Sequence, residues 1–403
     1  MTAVACMCIE GYPLLVGDLL ISGAVAPESL VSLPSTTVQY GLGGGDGPKS
    51  MRQKIAIVAD NLAVGWAGEH KVAMDVISEL KERCEHERFD EKFVAEFLKR
   101  QRQSTWEEIQ LAGILTKPIP TLVPFRFLHL FQSPSCKICE SPTFGKITLL
   151  GNGFDLLNDY LRREATIPTG DGPFDNFPFR TQIFETGVAG RKPTMKLVGS
   201  DSFPYRVLTY GMVVAGRFLM MEQTTFENLD HKFGSGYEIV SLVEERFTKV
   251  TNVLYLFWNA NVGEDGKSVT LSPFPYLLHR YEYYDDLLVV RSIALNEKDG
   301  TMFEEKLPFL IPPVYRYLWP QEKEKPPKPP LDARWICNFI RVFSHSNSSM
   351  RVVTTVGLET SSIKCEEKDG QFVKMTIEPI VYQKILSTIR SGEPEGDSSL
   401  RSK

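Results

Sequence analysis

The N-terminal segment constrains the fold most, because its pattern predicts that the chain begins inside a β-sheet. Apolar residues alternate or run together from Thr2 to Cys8 and again from Tyr12 to Ser22, and the turn-forming pair Glu10-Gly11 separates the two runs. The segment lacks a positively charged start, and Glu10 and Asp18 interrupt its apolar character, so it does not match a signal peptide. We therefore interpret it as a β-hairpin of the folded protein.

Composition and charge exclude several classes of protein. The 403-residue chain is 42% hydrophobic and 24% charged, values that are typical of globular proteins. Its net charge of -5 offers no basic surface to a nucleic-acid backbone, and no run of about 18 apolar residues predicts a membrane span. Seven cysteines, an odd number spread along the chain, indicate reduced thiols. We expect a cytoplasmic protein with neither nucleic-acid nor membrane partners.

Two pairs of cysteines lie close together in the sequence. Cys136 and Cys139 have the spacing of metal ligands, but a structural zinc site needs four ligands and no second pair of this kind lies nearby, so no metal is expected. Cys6 and Cys8 are predicted to point to opposite faces of the first strand and to be core thiols rather than nucleophiles.

A second hairpin and two helices are predicted next. The runs Lys54–Ala59 and Leu62–Ala67 flank the turn pair Asp60-Asn61. Apolar residues then recur at helical spacing from His70 to Cys84 and again from Phe93 to Leu98. The first quarter of the chain therefore reads as four strands followed by two amphipathic helices.

The remainder of the chain is predicted to be mainly strands joined by irregular segments. Residues 23–50, with the glycine cluster 41–47, are interpreted as a loop, and 155–205 as an irregular insertion. A helix is predicted near Ile380–Ile389 and a disordered tail from Ser391. The predicted strands are Phe125–Phe131, Lys146–Leu150, Leu208–Met221, Val253–Trp258, Leu287–Ser292, Trp335–Phe343, Arg351–Val356 and Phe372–Ile377.

The domain organisation follows from these segments. We expect a main domain over 1–320 that contains the insertion, a proline- and lysine-rich linker or loop over 321–330, and C-terminal strands and a helix over 331–390. Whether 331–390 forms a separate domain is left open. Residues 391–403 form the predicted tail.

The first quarter of the chain resembles proteasome β-subunits and the simpler bacterial proteasome-like peptidase. Four residues carry the resemblance besides the order of strands and helices. Thr2 stands near the terminus and Asp18 follows it in Val-Gly-Asp. Lys54 opens Lys-Ile-x-Ile-x-x-Asp-Asn, and Gly68 closes Trp-Ala-Gly. Both intervals, from Thr2 to Asp18 and from Lys54 to Gly68, are similar to those of the family.

The resemblance implies a role for each of these residues. A threonine hydroxyl is a weak nucleophile, and a free α-amine with a pKa of about 7.7–8.0 can take its proton when the threonine comes first, so removal of Met1 would expose Thr2 as nucleophile and base together. Lys54 would stabilise the developing alkoxide, and Asp18 would pair with Lys54. The Gly68 backbone N–H would supply an oxyanion-hole donor.

The family also places a Gly-Ser-Gly turn beside the N-terminal amine, and Gly234-Ser235-Gly236 is the matching segment here. It is predicted to follow a strand and to precede a helix over Tyr237–Phe247. Ser235 is the candidate residue, and Ser200 in Val-Gly-Ser-Asp is its competitor. The acidic and serine residues that complete the family's site further downstream have no match in this sequence.

These observations together predict a fold and an activity. The expected fold is α+β, a four-layer αββα sandwich of two antiparallel sheets of the N-terminal-nucleophile (Ntn) hydrolase kind, with a long insertion and a C-terminal extension. The expected activity is threonine-dependent amide-bond hydrolysis of a peptide or protein substrate without a cofactor, and a homo-oligomer is left open.

Three alternatives accompany this expectation. The first is a catalytically inactive binding or assembly protein on the same fold that retains Met1. The second is an Ntn amidase or acylase that acts on a small molecule and uses the insertion as a roof. The third is an unrelated α+β protein in which the motif at the front is accidental.

Overall fold

The structure is a computed structural model, in which the chain is a mixed α+β protein with mostly antiparallel sheets and few helices. It describes residues 2–9, 12–25, 30–31, 33–34, 40–41, 45–87, 89–118, 126–141, 145–153, 155, 182–185, 203–225, 233–243, 246–263, 268–273, 277–295, 302–305, 308–318, 335–343, 351–358, 363–368 and 371–377.

The described residues form four helices and 25 strands. The helices are α1 (His70–His86), α2 (Glu91–Arg100), α3 (Gln103–Glu108) and α4 (Phe203–Thr225). The strands are β1 (Val4–Ile9), β2 (Tyr12–Asp18), β3 (Leu20–Val25), β4 (Leu30–Val31), β5 (Tyr40–Gly41), β6 (Gly45–Met51), β7 (Ile55–Ala59), β8 (Leu62–Gly68), β9 (Ile109–Pro118), β10 (Arg126–Gln132), β11 (Lys137–Ser141), β12 (Gly145–Leu150), β13 (Gln182–Glu185), β14 (Tyr237–Val243), β15 (Arg246–Lys249), β16 (Val253–Val262), β17 (Val269–Pro273), β18 (Leu277–Tyr284), β19 (Leu287–Leu295), β20 (Met302–Glu305), β21 (Phe309–Ile311), β22 (Trp335–Phe343), β23 (Arg351–Leu358), β24 (Ile363–Lys368) and β25 (Gln371–Ile377).

Three sheets contain most of the strands. The first sheet has the order β11-β12-β1-β2-β14-β15 and the second β10-β9-β8-β7, and every neighbouring pair in both is antiparallel. The third sheet has the order β13-β23-β22-β16-β18-β19-β20, with β17 beside β16 and β21 beside β19, and its β16–β22 pair is parallel. The C-terminal strands β22 and β23 therefore share one sheet with residues from the middle of the chain.

The first and second sheets pack face to face through a shared apolar cluster. Val4 and Leu15 of the first sheet lie in this cluster with Ala63 of the second, all of them buried. Gly65 lets the two backbones come close, because a Cβ atom there would lie 2.7 Å from a methyl carbon of Val4. Tight contact between the sheets brings the start of β1 near the start of β7.

Helices cover the outer face of each of these two sheets. Leu80 of α1 and Phe97 of α2, both fully buried, share a cluster with Trp66 on the second sheet. Burial of side chains of this size contributes about 2 kcal/mol each to folding. Helix α4 lies against the first sheet, where a Cβ at Gly211 would meet Ile239, and against the third sheet, where a Cβ at Gly216 would meet the ring of Phe339.

Most of the predicted strands and helices are confirmed. Both N-terminal hairpins form, and Asp60-Asn61 is the turn between β7 and β8. The helices predicted over His70–Cys84 and Phe93–Leu98 are α1 and α2. Seven of the eight predicted strands correspond to β10, β12, β16, β19, β22, β23 and β25.

Helix α4 corrects the prediction of a strand over Leu208–Met221. Nearly every residue from 207 to 223 is buried, because the helix lies between two sheets. A helix that is apolar on all sides has no polar face, so its sequence lacks the 3.6-residue period that would distinguish it from a buried strand.

The helix predicted over Tyr237–Phe247 is also wrong, because this segment forms strands β14 and β15. Glu238 and Ser241 suggest one polar helix face, but both are buried in the structure. Glu238 accepts a hydrogen bond from the Ile55 backbone, and Ser241 donates one to the Pro13 carbonyl. Tertiary partners therefore satisfy the polar groups of a strand that is buried on both faces.

Three smaller differences concern the first 120 residues. The predicted loop over 23–50 contains strand residues, since β3 pairs with β6 in a two-stranded sheet. Strand β9, which lies in the middle of the second sheet, is missing from the prediction. Cys6 and Cys8 lie on the same face of β1 rather than on opposite faces, because side chains two residues apart on a strand point the same way.

Several predictions fall outside the described residues. These are the Glu10-Gly11 turn, most of the 155–205 insertion including Ser200, the 321–330 linker, the helix near Ile380–Ile389 and the tail from Ser391. Among the described residues, no helix combines the length and the apolar character that crossing a bilayer requires.

Candidate active site

Thr2 lies directly before β1, at the edge where the first and second sheets meet. It is 3% exposed, and its Oγ1 accepts a hydrogen bond of 3.0 Å from Lys54 Nζ. Its carbonyl oxygen accepts a second bond of 3.1 Å from the Gly153 backbone. The side chain and the main chain of Thr2 are therefore both held in place.

Lys54 reaches Thr2 from the start of β7. It is 1% exposed, and its Nζ lies 4.4 Å from the centre of the Trp66 ring, a distance that suits a cation–π contact. The residue across from it on β2 is Gly17, where a Cβ would lie 3.2 Å from Lys54 Cβ, so the glycine makes room for the lysine stem. The ammonium group thus contacts both an aromatic ring and the Thr2 hydroxyl.

Burial changes the acid–base properties of Lys54. Loss of water lowers its pKa to about 8, and the charge of Arg52 also lowers it, while the carboxylates of Asp18 and Glu238 raise it. A pKa of about 8 places the transition between charged and neutral Lys54 close to the pKa of an α-amine.

Asp18 ends β2 and organises the backbone around Thr2. Its Oδ1 accepts a hydrogen bond of 3.0 Å from the Ala3 backbone, and its Oδ2 accepts bonds from Leu20 at 3.2 Å and Gly234 at 3.0 Å. Burial raises the pKa of this fully buried carboxyl, whereas the charge of Lys54 and the N–H groups of Ala3 and Gly234 oppose the rise.

The direct pairing expected between Asp18 and Lys54 is absent. Among the described residues, the hydrogen-bond partners of Asp18 are backbone N–H groups, and Lys54 forms no ion pair with it. The carboxylate acts on Lys54 as a nearby charge, and it holds the β1 start through Ala3. Three main-chain donors hold its oxygens in place, and its charge reaches Lys54 without a direct contact.

Gly68 ends β8 and lies beside Thr2 and Lys54 on the wall of one cavity. Its φ of +108° is a conformation that favours glycine, and a Cβ there would lie 2.2 Å from the Glu108 carbonyl oxygen. Any larger residue would therefore disturb the cavity wall. The role of its N–H as an oxyanion donor stays a prediction.

Ser235 is joined to this site through Asp18 and does not line the cavity. Three consecutive residues have positive φ: Gly234 at +121°, Ser235 at +62° and Gly236 at +118°. The Gly234 N–H binds Asp18, and the Ser235 N–H donates to Glu222 Oε2 at 3.1 Å. The turn follows helix α4 and precedes strand β14. The prediction has a strand before the turn and a helix after it, which is the reverse order.

The Ser235 side chain ends in a buried hydroxyl. Its Oγ has no hydrogen bond among the described residues, and the residue is fully buried. A non-glycine residue with positive φ is strained by about 1–3 kcal/mol, and an unpaired buried hydroxyl adds to the cost. Strained residues and unpaired buried groups are common at functional sites. A glycine at position 235 would adopt the same backbone conformation without this strain.

The segment Gly151-Asn152-Gly153, which directly follows β12, belongs to the site and is not among the predicted site residues. Gly151 has a φ of +84°, and a Cβ on it would lie 1.8 Å from the Thr2 carbonyl oxygen. Its N–H donates to Gln110 Oε1 at 2.6 Å. The only sequence signal for this contact is the pair of glycines, which is compatible with any close backbone approach.

Thr2 and Lys54 lie on the wall of a cavity of about 350 Å³. Glu69, Glu107 and Glu108 also line it, and all three are exposed. Lys54 is the only lysine or arginine among the described lining residues. The cavity therefore combines one buried cation with an acidic rim.

The described part of the chain contains no metal centre, and the thiols of Cys6 and Cys8 are not activated. There, no group of three or more His, Cys, Asp or Glu side chains is arranged to hold a metal ion. The Cys136 thiol donates to the Leu111 carbonyl, and burial raises its pKa. Burial also raises the pKa of Cys8 to about 12 and that of Cys6 still further, so neither thiol is activated as a nucleophile.

No protein-family model matches this sequence, and no curated protein matches it.

Proposed function

We propose that this protein is an amide-bond hydrolase of the Ntn type, in which Thr2 becomes the nucleophile once Met1 has been removed. The observation that carries the proposal is the 3.0 Å contact between Lys54 Nζ and Thr2 Oγ1 on the wall of a cavity of about 350 Å³. Residues 52 positions apart meet there. Burial of a lysine costs stability, and a role in the chemistry would account for keeping one at this position. Asp18 and Gly68 lie around this contact.

The arrangement of layers supports the same fold. Two antiparallel sheets pack face to face, α1 and α2 cover one outer face, and α4 covers the other. This order supports the αββα sandwich that the resemblance implies. The third sheet lies beyond α4 and would be an addition to that sandwich.

The proposed reaction uses the α-amine of Thr2 as its base. The amine takes the hydroxyl proton as Oγ1 adds to the substrate carbonyl, while Lys54 and the Gly68 N–H stabilise the negative oxygens. The amine then gives this proton to the leaving nitrogen as the C–N bond breaks and an ester remains. Water adds to the ester with the same amine as base, which releases the acid and restores the hydroxyl.

The intact mass of native-start protein tests the proposal. We expect loss of Met1 and, after treatment with a peptide epoxyketone, a single adduct on Thr2, because this probe requires a free amine and an activated hydroxyl on one residue. Protein with a blocking residue kept in front of Thr2 is the control and should form no adduct. Retained Met1 with no adduct would instead favour the inactive binding or assembly protein.

The size of the cavity favours a second candidate, a small-molecule amidase or acylase of the same mechanism. A volume of about 350 Å³ is near the lower end of the range for small-ligand sites. Hydrolysis of short acyl amides with no cleavage of tetrapeptide amides would support this candidate, and the reverse would support a peptidase.

The acidic rim predicts a preference for positively charged substrates. Glu69, Glu107 and Glu108 surround a cavity whose only described cation is buried, so they attract a basic side chain next to the scissile amide. We expect kcat/KM for an arginine substrate to exceed that for a glutamate substrate by about tenfold at low salt, and the ratio to fall as salt screens the exposed carboxylates.

The double variant Glu107→Gln/Glu108→Gln should remove most of this preference. The matched control is Glu82→Gln/Glu85→Gln, which removes two exposed carboxylates from α1 that do not line the cavity. An unchanged arginine-to-glutamate ratio in the rim variant would contradict the prediction.

A further inference from the structure

The backbone next to Lys54 lies at the edge of the second sheet as its described strands define it. Strand β7 is the last strand of that sheet, and the Lys54 carbonyl accepts its bond from Trp66 of β8. In an antiparallel pair, the polar groups of successive residues point alternately toward and away from the partner strand. The N–H and C=O of Ile55 therefore point away from β8 and need other partners.

Two charged side chains from the first sheet supply those partners. The Ile55 N–H donates to Glu238 Oε1 at 2.6 Å, and the Ile55 carbonyl accepts from Lys249 Nζ at 2.9 Å. Lys249 also donates to Glu238 Oε2 at 2.9 Å, and both side chains are largely buried, at 13% and 0% exposed. The ion pair thus occupies the place that a neighbouring strand would take.

Gln53, on the other side of Lys54, is held by the same group. Its Oε1 accepts from Lys249, and its Nε2 donates to the carbonyls of Asp286 at 2.6 Å and Ile311 at 2.7 Å. Its own carbonyl accepts from the indole N–H of Trp66 at 3.0 Å. The residues before and after Lys54 are both fixed, while Lys54 itself points to Thr2.

We propose that the buried Glu238–Lys249 pair is the positioning element for Lys54, which it holds against Thr2 by fixing the backbone of Gln53 and Ile55 and by balancing the charge near the ammonium group. The effect on hydrolysis rests on the proposed function, but the effect on Lys54 itself does not. Glu238 and Lys249 touch neither the Thr2 hydroxyl nor the cavity around it, so they are positioning residues and not catalytic ones.

The charged and titratable groups around the pair define what a variant would do. Lys54 faces the charges of Asp18, Glu238 and Arg52. Glu238 faces Lys249 and the Tyr283 hydroxyl, which donates to its Oε2 at 3.3 Å, and its charge also reaches Tyr315. Removal of Glu238 takes an anion away from Lys54, whereas removal of Lys249 leaves that anion without its cation.

The test compares Glu238→Gln with Lys249→Met in the full-length protein, with the Lys54 pKa read from the carbon shifts of 13C-labelled lysine. Lys54→Arg identifies the signal that titrates at about 8. We expect the Lys54 pKa to fall by about one unit in Glu238→Gln and to rise by about one unit in Lys249→Met. The rate of epoxyketone labelling at Thr2 should fall by about tenfold in both, because the ammonium group is no longer held in place.

Two further variants separate positioning from general loss of stability. Glu282→Gln breaks another buried ion pair, with Arg291 at 3.2 Å, whose two members bind neither Gln53 nor Ile55, and it should leave the Lys54 pKa and the labelling rate unchanged. The double variant Glu238→Gln/Lys249→Met removes both charges together and should return the Lys54 pKa toward that of the wild type.

Two results would overturn the inference. One is an unshifted Lys54 pKa in both single variants, and the other is a shift of the same sign in both. Absence of labelling in the wild type would count against the proposed function, and the lysine titration would still decide the inference.

Discussion

Thr2→Ala is expected to reduce amide hydrolysis by at least about 10⁴-fold and to abolish epoxyketone labelling, because it removes the hydroxyl that forms the ester. The fold should survive the change. The lost side chain contributes one described hydrogen bond, from Lys54, while the backbone bonds of Thr2 and Ala3 to Gly153 and Asp18 remain. Hydrolysis rates, labelling and the free energy of unfolding would be measured on the same preparation.

Two variants make this comparison specific. Thr2→Ser keeps a hydroxyl and an α-amine on one residue and should retain measurable labelling. Thr148→Ala removes a second buried threonine hydroxyl of the first sheet, one that binds Gln132 at 2.9 Å and does not line the cavity, and it should leave hydrolysis unchanged. Hydrolysis that survives Thr2→Ala would show that the nucleophile lies elsewhere.

The front of the fold could be predicted because its signals are local. Tight turns such as Asp60-Asn61 and the helical spacing of Val76, Ile77 and Leu80 are readable within about ten residues. Intervals along the chain then give the resemblance, and the contact between Thr2 and Lys54 agrees with it. In this part of the chain the turn residues, the helical spacing and the intervals between residues all point to the same structure.

The rest could not be predicted because it depends on contacts distant in sequence. Helix α4 has no polar face, since two sheets bury it, and a buried strand and a buried helix then look alike. Glu238 looks like a surface residue in the sequence and is buried against Ile55, 183 positions away. Gly151 approaches Thr2 only after β12 pairs with β1.

The bonds that Asp18 forms also depend on contacts distant in sequence. The resemblance supplies residue types at matching intervals, but a carboxylate is used by whichever donors surround it in the fold. Here three backbone N–H groups surround Asp18, and the one from Gly234 arrives from a turn 216 positions further along the chain. Intervals in a sequence therefore predict which residues meet more reliably than which atoms bond.

Lys54→Met is expected to lower hydrolysis by about 10³-fold and, at pH 7, to raise the free energy of unfolding by roughly 3 kcal/mol. Loss of the cation removes stabilisation of the developing alkoxide. The gain in stability arises because burial lowers the pKa of Lys54 from 10.5 to about 8. Below pH 8 the folded protein therefore keeps a buried charged lysine, which costs free energy of folding. In Lys54→Met the carboxylates of Asp18 and Glu238 both keep bonding partners. Asp18 keeps its three N–H donors, and Glu238 keeps Lys249.

The pH dependence separates this effect from ordinary repacking. Below pH 8 Lys54 is charged in both folded and unfolded protein, and the full cost is present. Between pH 8 and 10.5 the unfolded chain binds a proton that the folded protein has lost, so the wild type gains stability as the pH rises. The advantage of Lys54→Met should therefore shrink over this range, as measured by urea unfolding at pH 7, 8.5 and 9.5. A variant that is less stable than the wild type at pH 7 would mean that Lys54 holds the two sheets together, whereas a more stable and inactive variant is expected of a lysine kept for its chemistry.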